Sequence, residues 1–272
     1  MNMLRPVDYN TRLHRGYDQG RRLSEQAARS WSAAVTRQLP PQRPVTIVEL
    51  GAGTARFTQL LADIASGVVY AVEPSQRMRE VAMQHYRSGV YFIAGRAEAI
   101  PLATESCDAA AIFFAVHHLA DLHAGAREIA RVLRPGGRLL IAGSFSDRLH
   151  PRAYYHYIPR AREIEENLFP NLATTTEAFG RAGVTVIALD EVGHEVSASL
   201  TAYSARLTHR AISTFEYLTD DEIDRGLAQL AADAAAETNP QPVHHTHDLL
   251  TLEKRCATRD VPIRRAAGKC LD

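Results

Sequence analysis

Cysteine is scarce: Cys107, Cys256 and Cys270 are the only three in 272 residues, and no C-x-x-C pair occurs. That excludes a disulfide-stapled fold, disfavours a Cys256–Cys270 bridge and fits free thiols in a reducing cytoplasm. H-E-x-x-H is absent as well, so no metal-site motif is present. No apolar run is long enough to span a bilayer, and Met1-Asn2-Met3-Leu4-Arg5-Pro6 lacks the apolar core of a signal peptide. An excess of one charge is also missing, with 31 Lys and Arg against 31 Asp and Glu. Without a lysine-rich block or basic stripe, nucleic acid is not an expected partner, the scattered arginines read as solvated surface, and the substrate need not be strongly charged.

What is there supports one sizeable core with room for a small cap: 46% of residues are hydrophobic and 23% charged. The chain is organised around Ile47-Val48-Glu49-Leu50-Gly51-Ala52-Gly53-Thr54-Ala55. This reads as a buried strand, a glycine turn and a helix through Phe57, Leu60, Leu61 and Ile64. Backbone N–H groups left open at such a helix start invite a nucleotide. The third glycine of a dinucleotide fingerprint is missing, since Arg56 stands there, which disfavours a nicotinamide dehydrogenase. A second apolar run, Val68 to Val72, ends in Glu73. A carboxylate there, about 20 residues past the turn, can accept both hydroxyls of a ribose.

Alternating apolar strands (46–50, 68–72, 90–94, 108–114, 137–142) and helices (55–65, 75–87, 97–99, 123–133) predict a mostly parallel sheet covered on both faces. Gly51, Glu73, Arg96 and His117 fall at strand ends, where ligands bind. Ahead of this core, Ser24 to Leu39 reads as a helix stopped by Pro40-Pro41. Beyond it, a helical insertion over His150–Asn167, a short helix at 175–182 and a strand at 184–189 are expected. A helix over Leu200–Leu218 and a capped helix from Thr219 precede a last strand at 248–253. His244, His245 and His247 read as a solvated turn.

In this order, with Gly95-Arg96-Ala97-Glu98, His117-His118-Leu119 and Arg131-Val132-Leu133-Arg134-Pro135-Gly136-Gly137, the motifs resemble class I S-adenosylmethionine-dependent methyltransferases. The similarity is greatest to the small-molecule subgroup related to the ubiquinone and menaquinone biosynthesis methyltransferases. It covers about Val45 to Ala142, and more loosely runs to Lys254. The resemblance implies an α/β fold: a Rossmann-like, mostly parallel seven-stranded sheet with helices on both faces and a helical lid. The expected division is lid helices in 1–40, a cofactor-binding core in 41–147, substrate-capping inserts and the last two strands in 148–254, and a loose tail in 255–272.

It further implies S-adenosylmethionine as cofactor and contacts from Tyr17, Glu49, Gly51, Ala52, Gly53, Glu73, Pro74, Arg96, Ala97, Glu98 and Phe113. Glu49 would orient the ammonium group and Glu73 hold the ribose. Arg96 departs from the family, because a guanidinium cannot accept from the adenine amino group; Ala55 replaces a frequent glycine. Tyr17 packs the leading segment or touches the ligand. His117 and His118 are candidate bases or structural rings, with Asp121 able to orient one, and a metal held by these three is disfavoured. Tyr154, Tyr155 and Tyr157 line an acceptor pocket or pack the core.

The expected activity is methyl transfer to an oxygen or carbon of a small organic acceptor, in specialised metabolism. The alternatives are a cofactor-binding cyclase or isomerase that keeps the methyl, and a non-catalytic binding subunit. The partners expected are a small-molecule acceptor but no membrane, with the chain a monomer or homodimer.

Overall fold

The computed structural model describes residues 7–11, 13–85 and 87–255. Cys256, Cys270 and all but Arg255 of the expected tail lie outside them, as does Met1–Pro6. Helices α1 (Leu13–Arg21) and α2 (Glu25–Gln38) lead into β1 (Ile47–Leu50), α3 (Thr58–Ala65), β2 (Val69–Glu73), α4 (Gln76–Ala82) and β3 (Val90–Ala94). Then come β4 (Cys107–Phe113), α5 (Leu122–Val132), β5 (Leu133–Gly143), α6 (Ala153–Tyr157), α7 (Arg160–Leu168) and α8 (Leu172–Arg181). Strand β6 (Val184–Ser197), α9 (Leu200–Leu207), α10 (Asp220–Ala236) and β7 (Val243–Lys254) complete the chain.

The seven strands form one sheet in the order β3-β2-β1-β4-β5-β7-β6. The first five pair in parallel, and β7 joins β5 and β6 antiparallel. Chain order reverses between β1 and β4, so the crevice beyond their carboxyl ends is the expected ligand site. Burial explains the uninterrupted apolar strands. Trp31, Leu61 and Val69 belong to the core on one face of the sheet, and Ile129, Phe179 and Ile141 to that on the other. A third cluster, with Tyr154, Tyr203, Phe215 and Leu230, unites α6, α9 and α10 into a separate helical cap. Ser24 Oγ caps α2 by accepting from Ala27 N at 3.0 Å, and Thr219 with Glu222 makes the capping box that opens α10.

Several boundaries differ from the sequence pattern. No helix forms over 97–99; Arg96 and Ala99 bridge as a tight turn instead. Leu200–Leu218 divides into α9 and a separate 3₁₀ turn at Ser213–Tyr217. The 150–167 insertion is two helices broken at Pro159, whose ring removes a donor. Strand β6 runs eight residues beyond the expected 189, and β7 starts at Val243, because each supplies the other's backbone partners along the whole length. No helix among the described residues is long and apolar enough to cross a membrane.

Candidate active site

The glycine turn is built by its hydrogen bonds. Gly51 N and Ala52 N both donate to Val72 O, at 2.9 and 3.2 Å, tying the turn to the end of β2. Gly51 has φ +72°, and a Cβ there would lie 2.7 Å from Ala115 Cβ, so both backbone and space require glycine. Ala55 also takes a left-handed conformation, φ 69°, which costs a residue with a Cβ about 1 kcal/mol. Glu73 completes it, accepting from Gly53 N at 2.9 Å and Ser75 N at 2.8 Å. Each carboxylate oxygen keeps a lone pair for a further donor. Burial pushes the Glu73 carboxyl above its ordinary value, and the two N–H groups oppose that shift.

A first chamber opens above the turn, and most of the expected contact residues meet there. Gly51, Gly53, Glu73, Pro74, Arg96, Ala97 and Glu98 line it, together with Tyr17, Phe113 and His118. Arg96 pairs with Glu98, 3.5 Å away, and Ala97 between them also lines the wall. Glu98 also accepts from Ala120 N at 2.7 Å. Two expected residues, Glu49 and Ala52, are not on this wall.

Glu49 is only 2% exposed and accepts from Thr58 Oγ1 at 2.5 Å, bracing the first turn of α3. Desolvation pushes its pKa up from 4.5 to about 8. The folded state holds this proton where the unfolded chain has lost it, so stability declines as pH rises from about 4.5 to about 8. Glu49→Gln keeps an acceptor for Thr58 and removes the buried charge. It is expected to stabilise the chain by about 2 kcal/mol near pH 9, and less toward pH 5. Denaturant melts at the two pH values check this, and an equal gain at both would rule out the buried charge as its source.

His117 and His118 diverge. His118 faces the first chamber, where its Nε2 lies 2.7 Å from Tyr9 Oη. The residue keeps exposed surface, and desolvation by the protein packed around the ring pushes its pKa down to about 4. His117 faces a second chamber and packs on Phe169 at 4.7 Å between ring centroids. Its Nε2 is buried with no hydrogen-bond partner. Desolvation first, then His118, push its pKa well below 6.5. Both rings are therefore neutral at neutral pH. Asp121 orients neither: its Oδ1 caps α5, accepting from Ala124 N at 2.9 Å.

The second chamber adjoins the first, sharing Tyr9, Tyr17 and Phe114 as common wall. It corrects two expectations. The arginines are not all solvated surface, because Arg21, Arg22, Arg56, Arg152 and Arg206 line it. The histidines of the last strand are not all in a solvated turn. His245 and His247 point inward from β7, each 8% exposed, beside His194 of β6, whose ring stacks on His247 at 5.1 Å. Only His244, on the other face, is exposed. Of the tyrosines, Tyr154 lines the chamber, and both Tyr154 and Tyr155 donate to Glu165 at 2.5 Å. Among the described residues one trio, His150, Glu191 and Asp248, has metal-ligand spacing. Arg148 already supplies a cation there, 3.2 Å from Glu191 and 3.5 Å from Asp248.

Residues 48–141 match the methyltransferase-domain family Methyltransf_11. The ubiquinone/menaquinone biosynthesis C-methyltransferase UbiE of Rubrivivax gelatinosus is 37% identical over 112 residues, 41% of this chain and 44% of that protein. The demethylmenaquinone methyltransferase of Mycobacterium marinum is 33% identical over 179 residues, 58% of this chain and 75% of that protein. Against the first of these the chain thus spans under half the relative's length. A solved structure from Anabaena variabilis, provisionally assigned as a methyltransferase of an antibiotic biosynthesis pathway, shares the fold with TM-score 0.64 and 22% identity. It covers 81% of this chain and 95% of its own. The chain belongs to the class I S-adenosylmethionine-dependent methyltransferases, in the group related to the quinone-biosynthesis enzymes.

Proposed function

We propose that the first chamber binds S-adenosylmethionine and that the second presents a small organic acceptor, to whose oxygen or carbon the methyl group passes. The observation that carries this reading is the pair of adjoining chambers with one histidine facing each. Glu73 would hold the ribose hydroxyls, the backbone at Gly51 and Gly53 would accommodate the methionine tail, and Ala97 would present its backbone to adenine. Helices α1 and α2 of the leading segment and the inserts at 148–170 and 196–238 would form the lid. Methyl transfer is an in-line displacement: the acceptor atom forms the new bond to carbon while the sulfur takes back the electron pair of the old one. The enzyme must align the two and, for a hydroxyl or acidic carbon, receive a proton. His117 lines the acceptor side, and its unpartnered Nε2 is the proposed recipient.

Calorimetry with S-adenosylhomocysteine tests the first chamber, and lack of binding by either form of the cofactor would end the reading. Turnover with methyl-labelled cofactor and a panel of acceptors tests transfer. One S-adenosylhomocysteine should form per methylated product, whereas a changed acceptor without it would mean a reaction that keeps the methyl. His117→Asn should lower turnover about 100-fold and leave cofactor affinity nearly unchanged. Because the neutral ring is the active form and its pKa is depressed, the acid limb of the rate profile should fall below the ordinary histidine range. A limb centred on an ordinary histidine value would point to another base.

A further inference from the structure

The second chamber holds more positive charge than its own walls neutralise. Against its five arginines stand Glu165 and Glu195. Glu165 is buried and occupied, accepting from Tyr154, Tyr155 and Thr214 at 2.5, 2.5 and 2.8 Å. The chamber's guanidiniums donate elsewhere, and among the described residues none of the five is in an ion pair. Arg152, 6% exposed, donates to Thr246 O at 2.5 Å and Ser144 Oγ at 2.7 Å. Arg206 donates to the carbonyls of Gly20, Val196 and Arg22 at 2.8, 2.5 and 2.8 Å. Carbonyls and hydroxyls fix a guanidinium in place without cancelling its charge. Burying such a charge with no counter-ion is unfavourable, and a cluster of them is more so.

Arg21, Arg152 and Arg206 act on common neighbours. The positive charge of all three lowers the proton affinity of His245 and opposes the upward shift of Tyr203. The neutral histidines add polar atoms to this region but no counter-charge. Nor does the carboxylate of the cofactor's tail account for the arginines, because among the described residues Arg96 alone of the arginines lies on the first chamber's wall. Apolar surface from Trp31, Phe57, Phe114, Phe169 and Ile212 forms much of the rest of the second chamber.

We propose that the acceptor is an anion: an apolar body bearing a carboxylate or phosphate that sits among Arg21, Arg152 and Arg206. This rests on the methyl-transfer reading for the word acceptor; the anion site itself rests on the arginines. A planar guanidinium offers paired donors that match either group, so both are served by the same chemistry.

The test is calorimetry on the full chain, free and saturated with S-adenosylhomocysteine, using benzoate and phenyl phosphate against the neutral probes benzamide and benzyl alcohol. At least one anion should bind about tenfold or more tightly than its neutral counterpart, and the tighter of the two identifies the head group. Arg21→Met and Arg206→Met should each weaken that anion about tenfold, with cofactor affinity changed less than about twofold. Arg206→Lys, which keeps the charge, should recover part of the loss and guards against a variant that merely misfolds. Neutral probes binding as well as the anions would overturn the proposal. So would variants that weaken S-adenosylhomocysteine as much as the anion, since the arginines would then serve the cofactor. If S-adenosylhomocysteine fails to bind at all, the methyl-transfer reading falls alone, and the titration of the free chain still decides whether an anion site exists.

Discussion

Replacing Glu73 with alanine should weaken S-adenosylhomocysteine binding by about 100-fold or more. The estimate counts two ribose hydroxyls donating to one carboxylate, each about 1.5 kcal/mol at the low end for a hydrogen bond to a charged group. Glu73 is placed to receive them: it stands at the tip of β2, it lines the first chamber, and its two protein partners leave lone pairs free. Glu73→Gln should fall between wild type and alanine, because an amide presents only one accepting atom. His117→Ala is the comparison, since that ring faces the other chamber and should change affinity by less than about threefold. Equal losses in the two variants would contradict the division of roles. Glu73→Ala also removes the acceptor for Gly53 N, so thermal melts without ligand should accompany the titrations and separate a loosened turn from a lost contact.

The cofactor half of the molecule was legible because its signals are local. A buried strand must end, the glycine turn must follow, and Glu73 must cap it; each step involves residues close in sequence or on neighbouring strands. Glu49 shows the limit of that logic. An acid at the end of a buried strand requires a partner, and proximity to the turn pointed to the ligand, but the partner is Thr58 on the following helix. The resemblance supplied the family and the mostly parallel seven-stranded sheet. It did not distinguish a residue on the chamber wall from one just behind it.

The second chamber was not legible, for a different physical reason. Its arginines come from the end of α1 and the residue after it, the turn before α3, the start of α6 and α9, positions 21, 22, 56, 152 and 206, and no periodicity links these segments. Only folding makes them neighbours. The histidines misled in another way. Pro240 and Pro242 signal a break, and the polar run that follows has no apolar alternation, so a turn was the natural reading. The residues instead alternate about the pleat of β7, with His245 and His247 inward and His244 outward, because this stretch of strand lines a chamber as well as a core. Polar side chains in a buried strand are the sequence trace of such a lining, and the register opposite His194 is the structural confirmation.

Those three histidines give the folded chain a marked acid sensitivity. His194 is pushed down to about 4 and His245 to about 2, and His247 falls well below 6.5; desolvation is the largest cause in each case, with arginine charge adding to it. In the unfolded chain all three take protons near pH 6.5. Below that pH the unfolded state binds protons that the folded state refuses, so stability falls as pH falls. Three such groups contribute at most about 4 kcal/mol per pH unit. Glu49 acts in the opposite sense and removes about 1.4 kcal/mol per unit of that slope. Between pH 7 and about 5.5 the net loss from these four groups should be about 2 kcal/mol; His117 and His118, also held below the ordinary histidine range, add about 1 kcal/mol each, so the melting temperature should fall by roughly 10 °C for a chain of this size. A His245→Asn/His247→Asn double variant will have a lower baseline, since His247 packs on Phe114 at 4.7 Å, but its dependence on pH should be distinctly shallower. The slope is therefore the quantity to compare. A wild-type stability that stays level or rises from pH 7 to about 5.5 would mean that these rings take up protons in the fold far more readily than their burial implies. An anion seated among the arginines would favour protonated histidines and should soften the acid loss, so the same melts repeated with the tightest-binding anionic probe connect the stability of this chamber to its proposed ligand.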